Sequence, residues 1–326
     1  MKNHVFSIIL LFFFLPLISF PQIKQANSPG MQIITGDIDN FWIAYDHLKV
    51  CKTADDSINC IKTLYFDNGT EGLKEFLKKY QYSPQDYLLK ISQYPGFFRS
   101  IRQNTLLTKT IGNEADQFLE KVWKYYPDYK PKKICFLISP IECGGTTTEN
   151  YLFAGAEILT SSKEADLSEF GNSVFGKVLA FDTNVRERLI FVIAHETVHD
   201  LQINAEFNNY NLLNKSLNEG SADFIAMLFT GVLANQYLME YGNLHEKELW
   251  VRYKQDIENN ENTDNWMYNY DRVENGVPAD LGYYMGYKIT ESYYNQCTDK
   301  NSAIHAIIES KNPKGFLKNS GYDNKF

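Results

Sequence analysis

The segment FVIAHETVHDLQ, residues 191–202, constrains this chain more than any other. His195 and His199 stand four apart, so on a helix they project from one face, one turn from each other. Two imidazole nitrogens placed this way can share a tetrahedral zinc ion at ~2.0–2.1 Å each. Glu196 follows the first histidine and would face the open side of such an ion, where it can take a proton from water. Residues Leu189 to Ala194 are all apolar. They predict a buried helix and a dry wall that strengthens charge effects beside it. The five-residue pattern is short, however, and a helix with two unrelated histidines can produce it by accident.

A second segment changes the odds. Residues 217–228 read LNEGSADFIAML, with Ala222, Phe224, Ile225 and Leu228 at helical spacing on an apolar side. Glu219 and Asp223 are again four apart. A catalytic zinc takes three protein ligands and leaves a fourth position open. A helix crossing the first could supply Glu219 as the third ligand, while Asp223 accepts the spare N–H of a ligand histidine and fixes its tautomer. A solvated acidic face is the plainer reading of that pair. Two helices with matched pairs of the right chemical types are much harder to obtain by chance.

The chain begins with Lys2 and His4, then an apolar run from Val5 to Phe20 that contains Pro16. The run is shorter than the ~20 residues a membrane helix needs, so it predicts a signal peptide over residues 1–22 and an exported protein, periplasmic or secreted. No cysteine lies near the expected cleavage point, so a lipid anchor is not expected. No later stretch is long and apolar enough to span a membrane. The formal net charge of −8 argues against nucleic acid as a partner, since that binding relies on neutralising phosphates. The five cysteines form no CxxC pair, which excludes a zinc ribbon. Cys51 with Cys60 could close a local disulfide, and five reduced thiols are equally compatible with the pattern.

Residues 23–36 are polar and read as a flexible leader. From there the chain reads as one domain, 37–326. Helical patterns fill 37–130: one from Asp37, its expected N-cap, then 70–80, 84–92 and 113–126. KKICFLIS (132–139) and YLFAGAEIL (151–159) read as strands, and KVLAF (177–181) is a further candidate. Helical periodicity returns at Val185 and continues to the end, interrupted by an Asn/Asp-rich stretch at 258–275 expected to be an exposed loop. The fold class is therefore α+β, mainly helical, with a small mixed sheet beside the helix that carries His195.

HETVH followed by Glu219 inside NEGSAD resembles the gluzincin arrangement of zinc peptidases. The chain is also similar to a bacterial family of predicted zinc-dependent peptidases related to gliding-motility lipoproteins. DIDNFWIAYD (37–46), ECGGTTTENYLFAGAE (142–157), DLGYYMGYKI (280–289) and FLKNSGY (316–322) carry this second likeness. Such a lipoprotein would keep a cysteine after its leader, and this chain has none. The resemblance implies a zincin-like fold, one Zn2+ held by His195, His199 and Glu219, and a peptide or protein substrate. It also implies an edge strand within 142–157 that borders the cleft, where Gly144 and Gly145 would let a peptide backbone come close; a plain glycine turn is the alternative.

Amide hydrolysis also needs a donor for the developing oxyanion. Tyr283 and Tyr287 are the candidates, with Arg272 and His245 behind them, while His47 and His305 read as structural. The expected chemistry is hydrolysis with Glu196 as general base. The rival is a non-hydrolytic, zinc-stabilised scaffold of the cell envelope. Glu196 separates the two, because it is not a ligand and a purely structural site would not need it.

Overall fold

A computed structural model describes residues 30–202, 211–233, 235–259, 263–274 and 276–326. The expected signal peptide and the start of the leader lie outside them. The leader is shorter than expected, because Ile33–Ile34 already forms a strand, β1. Three more strands follow: β2 (Lys133–Leu137), β3 (Gly145–Thr147) and β4 (Tyr151–Gly155). Their order is β1-β2-β4-β3. β1 pairs with β2 and β2 with β4, both parallel, while β3 runs antiparallel to β4 and ends the sheet. β2 and β4 are buried along nearly their whole length, which explains why they read as continuous apolar runs and not as alternating ones.

Six helices cover the N-terminal part: α1 (Gly36–His47), α2 (Ala54–Ile61), α3 (Glu71–Tyr80), α4 (Pro84–Gln93), α5 (Pro95–Thr105) and α6 (Gly112–Tyr125). α1 buries the apolar stripe Ile38, Phe41 and Trp42. Asp37 does not cap it. Its fully buried carboxylate accepts from Thr70 N at 2.9 Å and Thr70 Oγ1 at 2.5 Å, and Thr70 in turn caps α3. One acid thus ties two helix starts together across the N-terminal part.

Two strand expectations fail in part. YLFAGAEIL is strand only to Gly155, after which α7 (Ala156–Leu159) begins. KVLAF falls largely on a helix, α8 (Val174–Leu179), whose first turn is capped by Ser173 Oγ accepting from Gly176 N. Short apolar runs suit either conformation, and here the serine cap decides.

The C-terminal part comprises α9 (Val185–Leu201), α10 (Leu212–Thr230), α11 (Gln236–Leu244), α12 (Glu246–Glu258), α13 (Leu281–Gln296), α14 (Lys300–Ile308) and α15 (Pro313–Ser320). α10 lies between α9 and α13. Its crossing with α13 is made of bare backbone. A Cβ on Gly286 would sit 1.7 Å from Ser216 O, and one on Gly220 would sit 2.2 Å from Tyr287 N. Only glycine permits that approach. The stretch 263–274 is not the exposed loop expected: Trp266 is fully buried and donates Nε1–H to Asp256 at 2.7 Å. All five cysteines are free. No helix among the described residues is long and apolar enough to cross a membrane.

Candidate metal centre

α9 starts at Asn184, whose side chain accepts from Arg186 N, and is anchored by a buried cation. Arg188 donates to Leu159 O at 2.7 Å, Thr183 Oγ1 at 2.8 Å and Ser161 O, with its guanidinium 4.0 Å from the Phe181 ring. Burial pulls its pKa down to about 10, so it stays charged at neutral pH. This fixes α9 against the end of α7, and the next turns of the helix carry the histidines.

His195 Nδ1 lies 2.8 Å from Asp223 Oδ1, and His199 Nδ1 lies 2.8 Å from Gln202 Oε1. Gln202 is oriented in turn by its Nε2 donating to Ser221 Oγ at 2.8 Å. A carboxylate and an amide oxygen are acceptors, so each Nδ1 carries the proton and each Nε2 presents a lone pair. The two Nε2 atoms are 2.9 Å apart, and Glu219 Oε2 is 3.1 Å from one and 3.3 Å from the other. Three acceptors facing one another at these distances repel unless a proton or a cation stands between them. A tetrahedral ion with arms of ~2.0–2.1 Å holds its ligands roughly 3.3 Å apart. The donor set and its spacing fit zinc, and among the described residues this trio is the one group placed to hold a metal.

The electrostatics of the ion-free cluster point the same way. Burial works against charge on the histidines, but Asp223 and Glu219 outweigh it for His195, whose pKa is well above its ordinary value. That of His199 is also raised, burial again being offset, here by Glu219. Burial opposes ionisation of Glu219 as well, yet the two histidines hold its pKa well below the usual carboxylate range. The pocket thus favours positive charge at its centre. Glu196 is buried, and burial raises its pKa, which makes it a stronger proton acceptor than an exposed carboxylate.

The glycines separate in role. A Cβ on Gly145 would stand 2.4 Å from Glu196 Oε1, whereas one on Gly144 would meet nothing within 4 Å. Gly145 is the first residue of β3, so the end strand of the sheet runs beside Glu196. Lys79 Nζ holds this strand by donating to Thr146 Oγ1 at 2.7 Å and Thr147 O at 3.0 Å.

Among the described residues, the phenol nearest the cluster is one the sequence did not single out. Tyr268 OH donates to Glu219 Oε1 at 3.2 Å, and the residue as a whole is 56 % exposed. Its backbone is left-handed (φ 56°), and its N–H donates to Asp280 Oδ1 at 2.5 Å. Asp280 is itself left-handed (φ 63°). Tyr283 sits behind, its hydroxyl 3.5 Å from that of Tyr268 and its ring 6.4 Å from the His195 ring. Tyr287 is buried, packed edge-on against Phe224. Arg272 pairs with Asp264, His245 stacks on Tyr241, His305 packs on Tyr126, and His47 is exposed. The surrounding Asn and Asp residues, which tolerate left-handed backbone, were the only signal the sequence held, and they do not point to Tyr268 itself.

Fold and cluster together define a mainly helical α+β protein with a His-His-Glu centre on two crossing helices. Residues 158–311, which contain the whole cluster, match the model of a family described as predicted Zn-dependent protease, DUF2268. This agrees with the zinc-peptidase family that the sequence resembles. No curated protein and no solved structure matches the chain.

Proposed function

We propose that the chain is an exported zinc-dependent peptidase whose ion is held by His195, His199 and Glu219. The observation that carries this is the tautomer geometry: both Nδ1 atoms are committed to acceptors, so two Nε2 lone pairs and Glu219 Oε2 converge on one point. Bound zinc would supply Lewis acidity, polarising the scissile carbonyl and acidifying a water molecule. Glu196 would accept a proton from the attacking water and pass it to the leaving amine. β3 offers its outer side, on which Lys79 already holds Thr147 O, to an extended peptide by strand addition, and Gly145 keeps the backbone bare where the peptide passes Glu196. Tyr268 is the donor best placed for the developing oxyanion, with Tyr283 behind it; Tyr287, within the core, serves packing.

The test is Glu196→Gln in zinc-loaded protein. Zinc affinity should be kept within a few-fold while peptide hydrolysis is lost. A wild type that binds zinc but cleaves nothing in a broad peptide library would leave the non-hydrolytic scaffold as the reading.

A further inference from the structure

Behind the substrate edge lies an acid that the proposed chemistry does not use. Glu157 is fully buried at the start of α7. Its Oε1 accepts the Ser139 hydroxyl, while its Oε2 is buried with no partner. Ser139 Oγ in turn accepts from Glu142 N and Cys143 N, both at 3.2 Å. The turn so held contains Ile141, a buried β-branched residue at φ 59°. That conformation is a genuine outlier for isoleucine and persists only where the surroundings over-determine it. Just before Ser139, Ile138 is pinned by Tyr65, whose hydroxyl donates to its carbonyl at 2.7 Å and accepts from its N–H at 3.1 Å.

The turn leads directly into the edge. Gly155 N donates to Gly144 O at 3.1 Å, and a Cβ on Gly155 would sit 1.8 Å from Cys143 O. Gly145 then lies against Glu196. A strained turn upstream therefore sets where β3 stands relative to the general base.

We propose that Glu157 is a positioning residue for the substrate edge: through Ser139 it holds the 139–143 turn in the one form that lays Gly145 beside Glu196. The part of this that concerns substrate rests on the peptidase reading; the part that concerns the turn does not. The groups facing Glu157 are the phenols of Tyr65 and Tyr87, the Cys143 thiol, the Ser139 hydroxyl and the backbone N–H groups of Ser139 and Ile141, with Glu196 beyond Cys143. None of the first four carries charge at pH 7. Burial pushes the Glu157 acid up to about 8. Below that value it is neutral and the turn is held. Above it, charge appears on an oxygen with no partner, and the least costly relief is entry of water, for which the turn is the wall that must move.

The readout is Cys143, buried within the turn. In zinc-loaded full chain carrying Cys51→Ser and Cys297→Ser, reaction with an aromatic disulfide reagent is followed at Cys143 by peptide mass. Glu157→Gln keeps an acceptor for Ser139 and cannot ionise. The expected labelling rate in the Glu157 protein, divided by that in E157Q, rises about tenfold between pH 7 and 9. Ser139→Ala, which cuts the link without touching the acid, should raise labelling at pH 6 and pH 9 alike. With labelled casein as substrate, KM should rise above pH 8 in wild type but not in E157Q, with kcat changed less than twofold. A labelling ratio flat across that range, or S139A labelled no faster than its parent, overturns the proposal. Expected labelling with no cleavage of casein or of any member of a broad peptide library ends the peptidase reading and leaves the turn mechanism standing.

Discussion

Tyr268 combines strain with proximity. A non-glycine residue at left-handed φ costs on the order of 1–2 kcal/mol, and its phenol holds Glu219 through a hydrogen bond of 3.2 Å, long for O–H···O. A donor bound that loosely is free to turn to a better acceptor when one forms. Tyr268→Phe should lower kcat by about 10²–10³-fold with little change in KM or zinc affinity, measured by steady-state kinetics and metal titration. Tyr268→Gly should lose the same activity yet melt no lower than wild type, because glycine adopts that backbone without strain; calorimetry checks this. A smaller residue makes a different case. At Gly145 the atom that an added methyl would strike is the far end of the Glu196 side chain, at 2.4 Å. Gly145→Ala should therefore displace the carboxylate without unfolding the chain. The expected result is at least a tenfold loss of kcat with zinc binding and melting temperature nearly unchanged.

At the scale of elements, the crossing of α10 and α13 behaves oppositely. A methyl on Gly286 would lie 1.7 Å from a backbone oxygen, which no side-chain movement relieves. Gly286→Ala should cost several kcal/mol through forced helix separation. It should lower zinc affinity as well, since α10 carries Glu219; thermal melting and metal titration read both. Gly144→Ala, with open space around it, should do neither. The same contrast explains what the sequence disclosed. His195, His199, Glu219 and Asp223 were legible because helical spacing is local: two pairs at four-residue separation need no knowledge of the rest of the chain. Gln202 was within reach, three residues past His199, but glutamine carries no strong signal of its own. Tyr268 was hidden because its placement depends on a left-handed turn and on Asp280, twelve residues later. Asp37 looked like a local cap and instead bonds Thr70 across the fold. The segment 177–181 was ambiguous for a different reason, being too short for periodicity to separate strand from helix.

For the whole molecule, a bound ion and one buried acid make separate contributions to stability. Ligand binding to the folded state alone adds RT ln(1 + [L]/Kd), about 2.7 kcal/mol at a hundredfold excess over Kd. A chelator should lower the melting temperature accordingly, by a few degrees for a chain this size. Glu157 acts through pH. Its pKa rises from 4.5 to about 8 on folding, so between those values the folded state holds a proton that the unfolded chain has released. This contribution is full below about pH 4.5, falls between 4.5 and 8 and is lost above 8, by an amount on the order of 5 kcal/mol. Glu157→Gln should flatten that slope, as followed by denaturant unfolding at a series of pH values.

The sheet ends in a strand of only three residues, Gly145–Thr147. A peptide laid along so short an edge can form only two or three backbone hydrogen bonds, each worth about 1 kcal/mol net. That grip alone is weaker than the roughly 4 kcal/mol of millimolar binding. On the peptidase reading, fragments held this way would leave quickly, so turnover would be governed by bond breaking and not by product departure. Any preference among substrates must then come from side-chain contacts beyond the strand.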